Sequence, residues 1–170
     1  MRTVHVIGVV SFSIIAGSSL WAGEKRQHKP HEHGHGKLNV VIDQGAVSIE
    51  LDAPMDDIIG FEHKPRNDKE KKALDEAIAT LKSAEKCFAL PAEASCAVKS
   101  SEAGMEAEAK GHADLNAKWE FTCANASALK SIDVLMFKEF KRMKELDVQI
   151  AGAQGQKSQE LTPKNAKLTL

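Results

Sequence analysis

An alternation of apolar and polar residues on both sides of a short turn limits the possible folds of this chain more than any other feature. The apolar positions are Leu38, Val40 and Ile42 before the turn, and Val47, Ile49 and Leu51 after it. The turn between them contains Gln44-Gly45. Side chains of a strand point alternately to the two faces of a sheet, and glycine suits a tight connection. The segment therefore predicts a β-hairpin with one buried face.

Helical spacing follows the hairpin. Asn67 can cap a helix, and Glu70 can complete a capping box. The apolar residues that then recur at helical spacing are Ala73, Leu74, Ala77, Ile78 and Leu81. This pattern predicts an amphipathic helix that packs on the apolar face of the sheet. A short second helix is expected within residues 132–140.

Further strand patterns complete the predicted domain. Residues 112–123 alternate over a long stretch, and residues 146–150 and 157–170 are expected to supply the final strands. Loops are expected at residues 55–66 and at the acidic segment 100–111. Together these segments predict a single α+β domain, in which an antiparallel or mixed sheet is covered on one face by two helices.

The start of the chain has the pattern of a secretory signal peptide. Arg2 gives a positive start, an apolar run extends to Leu20, and the small residue Ala22 precedes a polar segment. A membrane anchor is the alternative, although the run is near the lower limit for crossing ~30 Å of hydrocarbon. We expect cleavage after Ala22 and no membrane contact afterwards. The expected organisation is a signal peptide at 1–22, a flexible His-rich arm at 23–36 and the α+β domain at 37–170.

Export changes the interpretation of the three cysteines. In an oxidising compartment a disulfide is the default state of a cysteine. We expect a Cys96–Cys123 bridge, because both residues lie in strand-like segments that could pair. A Cys87–Cys96 bridge is the runner-up. The spacings contain no Cys-x-x-Cys pair, so a zinc ribbon or a redox motif does not fit.

Charge and motif content exclude several classes of function. The chain has 23 Lys and Arg against 24 Asp and Glu, without a basic run, so nucleic acid is not an expected partner. The sequence contains no nucleophile elbow, no phosphate-binding loop and no His-Glu-x-x-His helix. We therefore expect a protein that is not an enzyme.

The sharpest chemical signal is a cluster of histidines in the predicted arm. His31, His33 and His35 occupy alternate positions, and His28 precedes them. Imidazole is a preferred ligand of Zn(II), and alternate side chains of an extended segment can converge on one ion. Copper and nickel also suit imidazole, so the ligands alone do not select the metal. The alternative is a solvated polar linker with incidental histidines.

Two weaker signals lie in the predicted domain. Glu62 and His63 are adjacent in a loop that Pro65 stiffens, and His112 and Asp114 are two apart on a predicted strand. On composition alone, both pairs are more typical of ordinary polar surface than of a metal site.

Several short segments, in order along nearly the whole predicted mature chain, carry a likeness to a known family. They are His33-Gly34-His35-Gly36-Lys37-Leu38-Asn39-Val40, Asp52-Ala53-Pro54-Met55, Gly60-Phe61-Glu62-His63-Lys64-Pro65-Arg66, Phe88-Ala89-Leu90-Pro91, Cys96, His112-Ala113-Asp114, Trp119-Glu120-Phe121-Thr122-Cys123 and Glu160-Leu161-Thr162-Pro163. In these segments and their order, the chain resembles the ZrgA family of periplasmic zinc-uptake proteins. The run from Gly60 to Arg66 is the most specific element.

The resemblance implies a Zn(II)-binding domain that works beside a zinc-import ABC transporter in the periplasm of a Gram-negative bacterium. The ligands it implies in the domain are Glu62, His63 and His112, joined by the three arm histidines named above. It also implies that Cys87 is the unpaired thiol, because Cys87 lies outside the family pattern. Two other functions remain open: an adaptor domain of the cell envelope with incidental histidines, and a copper- or nickel-binding protein.

Overall fold

The computed structural model of the protein describes residues 34–107 and 111–170. The predicted signal peptide and residues 23–33 of the predicted arm lie outside these ranges, and so do His28, His31 and His33. The strands are β1 His35–Asp43, β2 Ala46–Pro54, β3 Phe88–Ala89, β4 Cys96–Ala107, β5 Ala113–Cys123, β6 Ser131–Val134, β7 Glu145–Gly152, β8 Gly155–Leu161 and β9 Lys167–Thr169. The helices are α1 Met55–Ile59, α2 Asp68–Lys82, α3 Ala84–Cys87 and α4 Met136–Glu139.

Six of the strands form one mixed sheet in the order β4-β5-β2-β1-β7-β8. The predicted hairpin is confirmed: β1 and β2 pair antiparallel, from Lys37 opposite Asp52 to Asp43 opposite Ala46. β2 pairs antiparallel with β5, while β1 pairs parallel with β7. The parallel pair joins distant parts of the chain, and it makes the sheet mixed rather than purely antiparallel.

One face of this sheet, the inner face, is apolar and buried. Along β2, the side chains of Val47, Ile49 and Leu51 are at most 2% exposed, and the residues between them are half-buried. β5 and β7 show the same alternation. The opposite face, the open face, carries polar residues such as Lys118 and Glu50, whose side chains form a 3.0 Å ion pair. This division into one buried and one polar face is typical of a sheet packed on one side.

A second layer covers the inner face. It contains α2, which contacts β4 and β5, and a three-stranded sheet in the order β3-β6-β9. Trp119 of β5 is fully buried where these parts meet. Its indole Nε1 donates a 2.7 Å hydrogen bond to the carbonyl of Leu81 in α2, and its ring meets the Phe88 ring of β3 edge to face at 4.9 Å. Because the indole N–H is hydrogen-bonded inside the core, this large side chain is buried without the cost of an unsatisfied donor.

The predicted amphipathic helix is confirmed as α2. Asn67 caps it, since its side chain accepts a 2.9 Å hydrogen bond from the backbone N–H of Glu70. The Glu70 carboxylate in turn accepts a 2.7 Å hydrogen bond from the N–H of Arg66, one residue before the cap. Such reciprocal bonds satisfy backbone donors that have no partner within the helix.

Several predicted elements differ from the structure. Residues 100–107, predicted as part of a loop, belong to β4, which pairs with β5 as far as Ala107. The small and polar residues of this edge strand carry little apolar signal. Residues 55–59, predicted as a loop, form α1. Within residues 132–140, a strand (β6) precedes the one-turn helix α4. The inner face is therefore covered by a small sheet as well as by helices, not by two helices alone.

The cysteines behave as the preferred prediction states. Cys96 and Cys123 lie directly opposite each other in the β4–β5 pair and form a disulfide. Cys87 is a buried free thiol, which excludes the Cys87–Cys96 alternative. Burial raises the pKa of the Cys87 thiol to about 12, so it stays protonated at neutral pH. Among the described residues, no helix has the length and apolar character needed to cross a bilayer.

Replacing both Cys96 and Cys123 by Ser is expected to lower the free energy of unfolding by about 3–4 kcal/mol. The bridge joins residues 27 apart, and its loss frees the unfolded chain from a closed loop. Guanidinium denaturation of the wild type and the double variant measures the difference. As a control, a reducing agent should destabilise the wild type by a similar amount and leave the double variant unchanged. Equal stability of the two proteins would contradict this prediction.

Candidate metal centre

Three strand ends and one short helix meet at one end of the six-stranded sheet. β1 begins there at His35, and β2 ends there at Pro54, which pairs with Asp114 near the start of β5. α1 follows Pro54 directly and contacts both β2 and β5. We call this region, made of α1, the starts of β1 and β5 and the end of β2, the α1 end of the sheet.

The structure brings together two residues from the two weaker sequence signals. Glu62 lies in the loop after α1, and His112 lies immediately before β5. Glu62 Oε2 is 2.9 Å from His112 Nδ1, and the two side chains are 28% and 44% exposed. A carboxylate accepts and does not donate, so this contact favours the tautomer with the proton on Nδ1, in which Nε2 is the ring nitrogen with a lone pair that could bind a metal.

His63 is adjacent to Glu62 in the chain, but its side chain contacts different residues. Its ring stacks on Phe61 with centroids 5.0 Å apart, and its Nδ1 lies 3.0 Å from the carbonyl oxygen of Lys64. The nearest carboxylate is that of Glu70, 3.9 Å from the same nitrogen. The backbone N–H of Arg66 lowers the pKa of Glu70, with His63 adding a smaller effect in the same direction. Glu62 and His63 therefore belong to two separate groups of side chains.

His35 forms a second pair of histidine and carboxylate. It is the first residue of β1, opposite Glu145 in the parallel register, and its Nδ1 lies 3.1 Å from Glu145 Oε1. The sequence predicts His35 in the flexible arm, whereas the structure places it in the sheet. Its side chain is 37% exposed, so the ring remains accessible from solvent.

Two buried carboxylates also lie at the α1 end. Asp57 of α1 is 2% exposed and Asp114 of β5 is 4% exposed, although aspartate is rarely buried. Sequence reasoning missed Asp57, because residues 55–66 were predicted as a loop. The available signal was the pair Asp56-Asp57 after Pro54, since acidic residues favour the first turn of a helix. The sequence predicts Asp114 on a polar face of the sheet beside His112, and not as a buried residue.

Within residues 34–107 and 111–170, no group of three or more His, Cys, Asp or Glu side chains converges closely enough to hold a metal ion. His35 and His112 instead each lie beside one glutamate, Glu145 and Glu62 respectively. In metal sites, a ligating histidine commonly donates its other ring N–H to a carboxylate, which orients the ring and strengthens the ligand. The His35–Glu145 pair makes this hydrogen bond, and the Glu62–His112 pair places the same two kinds of atom 2.9 Å apart as an ion pair. His31 and His33 lie outside the described residues, and their predicted role stays a prediction.

Residues 30–170 match the family described as ZrgA family zinc uptake protein. The match covers most of the 170 residues, so the chain belongs to this family. Its role, at the level of the family, is in zinc uptake. A search among curated proteins finds no match to the chain.

Zinc affinity is expected to depend on Glu62 and His112 as a coupled pair. The variant Glu62→Gln should weaken Zn(II) binding by about 10- to 100-fold, the usual cost of removing a carboxylate that supports a ligand, and His112→Ala should weaken it at least as much, because it removes the ligand itself. The double variant should lose little more than His112→Ala alone, because the carboxylate acts through the ring. Isothermal titration of residues 23–170 measures all four affinities.

Glu76→Gln is the matched control for that experiment. Glu76 is an exposed carboxylate on α2 that lies 3.6 Å from Lys72 Nζ, so its loss removes the same charge on a helix that is not part of the α1 end. We expect its zinc affinity to equal that of the wild type. If Glu76→Gln and Glu62→Gln lowered the zinc affinity equally, the affinity would depend on net charge rather than on the Glu62–His112 pair.

Proposed function

We propose that this member of the ZrgA family captures Zn(II) in the bacterial periplasm and assists its uptake through an ABC-type importer. The observation that carries the proposal is the Glu62–His112 pair, in which a carboxylate lies 2.9 Å from one nitrogen of an accessible imidazole. Family membership supplies the connection to zinc uptake. The importer and the periplasmic location follow from the predicted signal peptide and from the family resemblance.

A site with few protein ligands suits a metal that is carried rather than retained. Structural zinc sites close four protein ligands around the ion and hold it tightly. His112, oriented by Glu62, supplies one ligand from the domain and leaves coordination positions for further histidines, for water or for the next carrier. We infer that Zn(II) is the cargo of this protein, and that incomplete coordination by the domain allows the ion to be passed on.

The arm histidines are the proposed additional ligands. His33 directly precedes Gly34, and the N–H of Gly34 is hydrogen-bonded to Asp57 at the α1 end. His31 and His33 would then add imidazoles to a site begun by the domain, and His35 remains held by Glu145.

We also propose that the chain performs no bond chemistry. A zinc hydrolase requires about three protein ligands, an open coordination position and a general base in one pocket. The sequence contains none of the usual catalytic motifs, and the proposal rests on that observation. Copper and nickel bind imidazole as well, so competition titrations with Cu(II) and Ni(II) belong beside the zinc measurement.

Zinc binding should weaken strongly in acid, because only neutral imidazole binds the metal. An ordinary histidine titrates near ~6.5, so lowering the pH from 7.5 to 5.0 should cost roughly 30-fold in apparent affinity for each histidine ligand. Titration of residues 23–170 at the two pH values measures this. Equal affinity at both values would contradict histidine ligation.

Growth of zinc-limited cells distinguishes this function from an adaptor role. A strain lacking the protein should be rescued by the wild-type chain and by Glu76→Gln. It should not be rescued by a chain that carries Glu62→Gln and His112→Ala together. Full rescue by that double variant would favour an adaptor domain whose histidines are incidental.

A further inference from the structure

β4 forms one edge of the six-stranded sheet. It pairs with β5 over residues 100–107, and β5 is its only partner among the strands that the structure describes. α2 meets β4 from the inner face: Ser101, which pairs with the inner-face residue Trp119, donates a 2.8 Å hydrogen bond from Oγ to the carbonyl of Lys82. An edge strand presents a row of backbone N–H and C=O groups that can pair with a further strand. We call residues 100–107 the β4 edge.

The charges of the β4 edge are all negative. Lys99 and an adjacent register shift protect the start of the strand against pairing, but residues 100–107 contain no Lys, Arg or Pro. Their charged residues are Glu102 and Glu106, both exposed. Glu102 pairs with Lys118 of the open face, and Glu106 follows four residues later, so both glutamates point to that face. Such an edge favours a strand with positive charges over a second copy of itself.

Gly104 lies between the two glutamates, at one end of a groove across the open face. The groove has a volume of about 640 Å³. It runs from Gly104 over Asn116 and Asp52 to Lys37, residues that pair in this order across four strands. A Cβ on Gly104 would meet no atom of the described residues within 4 Å. Because glycine inside a strand often marks the close approach of another chain, the groove offers room for a long side chain from a strand beside β4.

Asn116 adds a requirement for hydrogen-bond donors. Its Nδ2 donates a 2.7 Å hydrogen bond to Glu106 Oε2, whereas its Oδ1 is buried and has no hydrogen-bond partner. Buried acceptors in folded proteins nearly always have one. The ammonium of the neighbouring Lys118 is engaged elsewhere, 3.0 Å from Glu50 and 3.8 Å from Glu120. The β4 end of the groove therefore suits a cationic group with several donors, as in Arg or Lys.

We propose that the β4 edge binds an extended segment of a partner protein that carries Arg or Lys at every second position. The segment adds a strand beside β4, so that its backbone pairs with the edge and its alternate side chains lie on the open face. Two basic side chains meet Glu102 and Glu106, and the one between them lies over Gly104. Glu106 pairs with Asp114 at the α1 end, so the partner is held beside the candidate metal centre. This inference goes beyond the proposed function and does not depend on zinc binding.

The test is a titration of residues 23–170, in the absence of zinc, with a fluorescein-labelled peptide of alternating Thr and Arg. A peptide of about nine residues covers the β4 edge. A control peptide of the same composition has all its Arg in one block, and fluorescence anisotropy measures both affinities. The alternating peptide should bind about tenfold more tightly, because only its charges share one face of a strand. Equal binding of the two peptides, or no binding of either, would overturn the proposal.

Variants of the chain locate the bound peptide. Glu102→Gln/Glu106→Gln should weaken it by about three- to tenfold, because two cross-strand charge pairs are lost. Gly104→Lys should abolish binding, since it places a positive charge in the groove, while its Cβ has room in the fold. Asp68→Asn/Glu76→Gln removes two exposed carboxylates from α2 instead and should leave the affinity unchanged. A loss in this control as large as that of the β4 variant would show an effect of net charge alone and refute the proposal.

Amide hydrogen exchange tests strand addition directly. The alternating peptide should slow exchange at amides within residues 100–107, because their outward N–H groups gain partners. Protection at the other edge strand, β8, without protection at β4, would contradict the assignment. So would a dimer of the free chain that Gly104→Lys converts to a monomer, because a second copy would then occupy the edge. Since zinc is absent from these titrations, failure of zinc binding refutes the proposed function alone, and failure of peptide binding refutes this inference alone.

Discussion

The register between β2 and β5 is the constraint on which the rest of this structure depends. Ile49 pairs with Trp119 and Leu51 with Ala117, so the buried sides of the two strands coincide. A slip by one residue would turn every one of these side chains to the open face, and the loss of burial makes such a slip costly. The same register sets Pro54 opposite Asp114, and it thereby fixes where α1 meets the start of β5. The candidate metal centre is a consequence of this apolar pairing.

Sequence reasoning succeeded where the signal is local and failed where it depends on distant partners. The β1–β2 hairpin, α2 with its Asn67 cap, and β5 follow from short-range periodicity and capping. The sequence predicts only the start of β4, around Cys96. The rest of this edge strand buries little, so Ala103 and Met105 face inward among small and polar residues that give no strand signal. The parallel pairing of β1 with β7 has no local signature at all, since it is decided when the whole core assembles.

The candidate site also combines features that the sequence predicts with features that depend on distant partners. The residue types were predicted, and the family likeness pointed to Glu62, His63 and His112. Which carboxylate meets which histidine was beyond the sequence, because Glu62 and His63 are adjacent yet turn to different partners, His112 and Phe61 respectively. Asp57 carries no motif of its own. Its carboxylate accepts a hydrogen bond from the N–H of Gly34, and only the folding of the chain brings Gly34 next to α1.

The central claim is that zinc binds at the α1 end, with His112 as a ligand. Crystals of residues 23–170 grown with Zn(II) would test it through anomalous scattering measured on both sides of the zinc absorption edge. We predict a zinc peak about 2.0–2.1 Å from Nε2 of His112, with Glu62 in contact with the other ring nitrogen. A zinc peak bound elsewhere in the domain, with neither residue within about 3 Å of the ion, would contradict it.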